Sequence, residues 1–123
     1  MAMLLLSLAV LGGCAAASAE SQDGVTLTAA RTGSKVMLTL RNESATSIGY
    51  NLCSSALQRG SAWEPVETGD ICTMEIRMLE RGGSATFEKS LPSDLASGEY
   101  RYVTNVDADG KRMVVESNPF RVE

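Results

Sequence analysis

From Gly24 onward the hydrophobic pattern repeats every two residues, and this most restricts what the chain can fold into. Side chains of a strand alternate between two faces, so a period of 2 marks strands with one buried face, whereas a helix would repeat at 3.6. Val25, Leu27 and Ala29 alternate with Thr26 and Thr28, and Val36, Leu38 and Leu40 with Lys35, Met37, Thr39 and Arg41. Ile48, Tyr50 and Leu52 continue the pattern, as do Ala85 with Phe87, Tyr100 with Tyr102, and Phe120 with Val122. Turn-forming runs separate them: Arg31-Thr32-Gly33-Ser34, Asn42-Glu43-Ser44, Gln58-Arg59-Gly60-Ser61, Arg81-Gly82-Gly83, Ser93 to Gly98 and Asp107-Ala108-Asp109-Gly110. Strands recurring at such intervals predict an all-β antiparallel sandwich or barrel of seven or eight strands. Glu75 to Glu80 (EIRMLE) is the one stretch read as a helical turn.

The first residues have a different character. MAMLLLSLAV is apolar but shorter than the roughly 20 residues that span a bilayer, and fits the core of a secretory signal. Leu11-Gly12-Gly13-Cys14 resembles the lipobox of bacterial lipoproteins. That resemblance implies a signal peptide over residues 1–13, removal before Cys14, and a diacylglycerol on the Cys14 sulfur. Acyl chains gain about 0.8 kcal/mol per buried CH₂, so a multiply acylated cysteine holds firmly. No Lys or Arg precedes the apolar run, and Ala17-Ser18-Ala19 offers a competing cleavage site that would release a soluble protein. By resemblance to Gram-negative lipoproteins, Ala15 after Cys14 allows outer-membrane sorting. The small, polar residues 14–23 read as a tether, and 24–123 as the domain.

Loss of Cys14 by acylation or cleavage leaves Cys53 and Cys72. In an oxidising compartment an even pair is expected to be bridged, closing a loop of about 20 residues worth on the order of 3 kcal/mol. The alternatives are a reactive or metal-binding pair, including a copper site from Cys72, Met74 and Met78. The chain contains no His, which excludes Ser-His-Asp and Cys-His nucleophiles and the usual zinc and non-haem iron sites. A net charge of −4 without a basic cluster argues against nucleic acid as a partner.

The last third carries further marks. Gly98-Glu99-Tyr100 follows Leu91-Pro92-Ser93-Asp94-Leu95, the arrangement a tyrosine corner requires, with the hydroxyl bonding back to the preceding loop. A plain cross-strand Tyr is the alternative. In order, the chain carries Leu38 to Asn42 (LTLRN), Tyr50-Asn51-Leu52-Cys53, Trp63 within Ala62 to Val66, Cys72 and Gly82-Gly83 before a Phe-bearing strand. Leu91-Pro92, Gly98-Glu99-Tyr100-Arg101 and Ser117-Asn118-Pro119-Phe120 follow. Over residues 24–123 this order resembles the bacterial immunoglobulin-like domain family of small secreted proteins and lipoproteins. The resemblance implies an immunoglobulin-like β-sandwich, carries no catalytic residues, and suggests that Trp63 packs over the disulfide.

Asn105, Asp107, Asp109 and Gly110, followed by Glu116, nearly match a Ca²⁺ loop, in which alternating oxygen ligands and a late bidentate Glu surround the ion. The competing reading is an Asp-Gly hairpin turn. Trp63 with Tyr50 could form an aromatic patch. No cofactor is expected. The function expected is a non-enzymatic binding or structural module, monomeric, anchored by lipid on the periplasmic or extracellular side of the bacterial cell envelope, with an envelope protein as partner. The alternative is a protease inhibitor acting through a loop such as Arg81-Gly82-Gly83-Ser84.

Overall fold

A computed structural model describes residue 19 and residues 21–123. Ten strands are found among them: β1 Val25–Thr32, β2 Lys35–Asn42, β3 Ile48–Tyr50, β4 Ala56–Arg59, β5 Glu64–Val66, β6 Arg77–Leu79, β7 Ser84–Ser90, β8 Gly98–Ala108, β9 Lys111–Glu116 and β10 Phe120–Val122. All pairings between them are antiparallel. One sheet runs β1-β2-β7 and the other is built on β8. The fold is therefore all-β, with two antiparallel sheets. No helix of the described residues is long and apolar enough to cross a membrane.

The period-2 residues line the space between the sheets. Val25, Leu27, Val36, Leu38 and Leu40 of the first sheet are fully buried, as are Ile48, Tyr100, Tyr102, Val106 and Val115 of the second. Tyr100 and Tyr102 stack loosely with Phe120, and together they supply most of the large-ring area in the core.

β8 is the one long, unbroken strand of its sheet, at eleven residues. The rows beside it are interrupted. On one side Tyr50 lies opposite Val106 and Ala56 opposite Val103, so six steps along the chain advance only three along β8. A single 3-10 turn, Leu52–Ser54, absorbs the surplus. Outside this row, β5 pairs with β4 and β6 with β3, and residues 67–76 between them form an irregular strap. On the other side of β8, β9 and β10 are separated by Ser117 to Pro119. There the side-chain amide of Asn118 accepts from Ala29 N–H (2.8 Å) and donates to Ala29 C=O (3.0 Å), replacing a rung of ladder and tying β1 to the second sheet.

Two sequence expectations change here. Residues 77–79 form strand β6 rather than part of a helical turn, because pairing with β3 buries Leu79 while Met78 points outward. Tertiary pairing outweighs the helical propensity of EIRMLE. The strand count also rises from seven or eight to ten, because the broken rows are made of three- and four-residue pieces.

Candidate functional site

The break in the second sheet gathers the chemically distinctive groups. Cys53, in the 3-10 turn, is disulfide-bonded to Cys72 in the strap, with their Cα atoms 5.8 Å apart. The bridge lies within one sheet and takes the place of the ladder missing between β5 and β6. Asn51 reinforces it by donating from Nδ2 to the Thr73 carbonyl (2.8 Å).

Lys89 closes the site from the opposite sheet. It has the same parity on β7 as Ala85 and Phe87, so it points inward, and it is almost wholly buried. Its ammonium donates to the Cys53 carbonyl (2.6 Å) and pairs with the Asp70 carboxylate (2.8 Å), and it lies 5.8 Å from the centre of the Tyr102 ring. Thr68 also donates to Asp70 (2.9 Å). Partial burial pulls the Asp70 pKa upward, but the hydrogen bonds from Lys89 and Thr68 and the charge of Lys89 outweigh it and leave the carboxyl below its ordinary value. Burial, and secondarily the charge of Asp70, push the Tyr102 phenol upward. The hydroxyls of Ser55, Tyr102 and Thr104 are buried without a hydrogen-bond partner among the described residues.

The strap exposes what a core would normally take. Ile71 is 96% and Met74 92% exposed, and Ile76 and Met78 are more than half exposed. A cleft of about 590 Å³ lies against the strap, lined in part by Tyr50, Ala56, Val66, Met74, Asn105 and Arg112. A second, of about 500 Å³, opens along the seam between the sheets, where Phe87, Ile71 and both cysteines meet Arg77. Phe87 has inward parity but lies at this open seam and keeps 37% of its surface.

Other expected site residues fall elsewhere. Trp63 does not pack over the disulfide. It sits at the far end of the β4–β5 hairpin, four residues after β4 ends, whereas Cys53 lies three residues before β4 begins. Trp63 has a positive φ of 52° and is only half-buried, with the Arg101 guanidinium 4.3 Å from the centre of its ring. Tyr50 lies opposite Val106 while the Trp63 hairpin begins beside Tyr100, so the two form no patch. Met74 and Met78 follow a cysteine already engaged in the disulfide, and they are surface rather than core residues.

Asp109 and Gly110 occupy the β8–β9 hairpin turn, both with positive φ, as a two-residue Asp-Gly turn requires. Glu116 is carried away along β9 to pair with Arg101 (3.2 Å), and Asp107 faces Arg112 (3.4 Å). Asn105, Asp107, Asp109 and Glu116 are thus not brought together. Tyr100 makes the corner bond, its hydroxyl donating to the Ala96 carbonyl four residues upstream. Gly98, at φ 150°, opens the strand in a conformation that other residues rarely adopt. Arg81-Gly82-Gly83-Ser84 is a tight turn pinned to β2: Gly82 N–H donates to the Asn42 carbonyl and Asn42 N–H to the Gly83 carbonyl. Cys14 and residues 1–13, expected to be a signal peptide, lie outside the described residues.

Sequence reading missed Lys89 and Asp70. The parity of β7 was the available signal, since it places residue 89 on the same face as 85 and 87.

No family model matches the chain, and no curated protein matches it. Among solved structures it is similar to target SoR45 of the Northeast Structural Genomics Consortium, at 12% identity over 79% of this chain and 81% of that one, with a TM-score of 0.50, a likeness of fold alone.

Proposed function

We propose that this chain is a non-enzymatic binding module of the bacterial cell envelope, anchored through acyl chains on Cys14, with an immunoglobulin-like sandwich that engages a protein partner through the strap and its cleft. The observation that carries this reading is the oxidised Cys53–Cys72 bridge beneath the exposed Ile71 and Met74. A disulfide belongs to an oxidising compartment, and a contiguous apolar surface beside a cleft belongs to recognition. The corner bond of Tyr100 supports the immunoglobulin-like assignment. Two of the carboxylates that line the cleft, Asp70 and Asp107, are held by Lys89 and Arg112, which supports a non-catalytic role. The inhibitor alternative loses its nearest motif, because a turn pinned to β2 does not present a loop to an active site.

The test is the intact mass of the protein from its envelope fraction, with thiol labelling before and after reduction. A mass beginning at Cys14 plus acyl chains, with two labels gained only on reduction, is the expected result. A mass beginning near Glu20 without lipid makes it a freely diffusing exported protein and sinks the anchor. Labelling of two thiols without reduction sinks the oxidising compartment as well.

A further inference from the structure

The free edges of the two sheets are not equally guarded. Exposed strand edges invite pairing with other chains, and proteins blunt them with proline or with charges turned inward. β5 carries Pro65, and β7 turns Lys89 inward. β6 carries neither. It is paired with β3 along one side, and no strand lies against its other side among the described residues.

The sequence that runs from the end of the strap into that open edge is self-complementary. Met74-Glu75-Ile76-Arg77-Met78 reads as a palindrome about Ile76, apolar on apolar and acid on base. An antiparallel strand related by a two-fold axis at Ile76 places Ile76 opposite its own copy. It places Met74 opposite Met78, and Glu75 opposite Arg77, each pair formed twice. Directly opposed residues share a sheet face. Met74 and Ile76 line the cleft on the outer face, so the Met and Ile side chains of both copies would meet there. Glu75 and Arg77 line the seam on the other face, so the charge pairs would form there. Met74, Ile76 and Met78, with Ile71 beside them, are each more than half exposed, and such a run of large apolar side chains on a soluble surface marks an interaction site. Within one chain Glu75 and Arg77 make only a loose surface contact at 3.8 Å, so both are free to exchange partners.

We infer that the chain forms a homodimer by antiparallel pairing of residues 74–78 about Ile76, in which the end of the strap extends β6 and lies against β6 of the second copy, joining the two into one continuous sheet. The partner is a second copy of this chain, in contrast to the monomer expected from sequence. The inference concerns the edge alone and does not depend on the anchor or on an envelope partner.

The test is sedimentation equilibrium of the full-length oxidised protein, in a detergent density-matched to the solvent so that bound lipid or detergent adds no apparent mass. The wild-type chain should sediment at twice its own mass. Glu75→Arg or Arg77→Glu sets like charges opposite one another at two places and should weaken association by about tenfold or more. The combined Glu75→Arg/Arg77→Glu exchange restores every pair and should return association to within about threefold of wild type. The two side chains involved are largely exposed in the single chain, so the exchange leaves the fold intact. Arg81→Glu, an equal change of charge on the neighbouring turn, should have no effect. A wild-type protein that is monomeric across the concentration range overturns the inference. So do single variants that associate like wild type, or a combined variant that fails to recover.

Discussion

At the scale of single residues, the Lys89–Asp70 pair is the most consequential contact. A buried ammonium without its counter-ion is costly, whereas replacing it with an apolar chain of similar length removes the charge altogether. Asp70→Asn should therefore destabilise by about 1–3 kcal/mol, and Lys89→Met by less, as read from denaturant midpoints. A larger loss for Lys89→Met would mean that the hydrogen bond to the Cys53 carbonyl outweighs the ion pair. The pH dependence has a definite sign. The Asp70 pKa is lower in the folded chain than its ordinary 3.8, so the contribution is fully present above that value and is lost as pH falls through the folded pKa. The stability gap between wild type and Asp70→Asn should narrow accordingly in acid. Trp63 gives the opposite lesson. A lone Trp in a small sandwich invites a core assignment, and burial would make Trp63→Ala cost about 3–5 kcal/mol. Half-buried in a turn against Arg101, it should cost about 1 kcal/mol, the scale of an exposed cation–π contact with some lost packing. A cost near the core value in urea titration would place it in the interior.

At the scale of elements, legibility followed strand length. β1 and β2 each run eight residues with one face buried, so a period of 2 is visible over several cycles. β4, β5 and β6 have three or four residues, at most two full cycles, and their boundaries are set by what β8, β4 and β3 offer as partners. Nothing local in EIRMLE distinguishes a helical turn from an edge strand. The same limit applied to the site. The bridge was legible from a count of cysteines, and the corner from Gly98 and Tyr100. The strap was not, because its exposed Ile71 and Met74 look like core residues until the sheet is assembled. The disulfide makes this weak element part of the fold, spanning a sequence separation of 19. Reduction should cost about 3 kcal/mol. It should also speed amide exchange in residues 67–76 well before exchange in β1, β2 and β8 changes, as measured by hydrogen exchange with mass spectrometry. Uniform acceleration across both sheets would show that the bridge holds the whole sandwich instead.

At the scale of the whole molecule, the two sheets are locked together at both margins. Asn118 ties β1 to the β9–β10 break on one side, and Lys89 ties β7 to the strap on the other. Between them lies one continuous core shared by both sheets. Neither sheet can open without exposing that core and leaving one of these polar anchors unpaired, so the domain should unfold in a single cooperative transition. The topology also sets the rate. β1 and β2 form a local hairpin, but β2 waits for β7, and β3, β4 and β10 all assemble on β8 from distant parts of the chain. Loop closure precedes the reward in each of these pairings, which places folding in milliseconds to seconds rather than microseconds. Trp63 is a built-in probe, being the chain's one tryptophan and lying between the β4–β5 turn and Arg101 of β8. Its fluorescence reports assembly of the second sheet, while far-ultraviolet circular dichroism reports both. The two signals should trace the same denaturation curve and the same single-exponential refolding phase. If fluorescence changes at lower denaturant than dichroism, the β8 sheet opens separately, and the ties made by Asn118 and Lys89 are too weak to couple the layers.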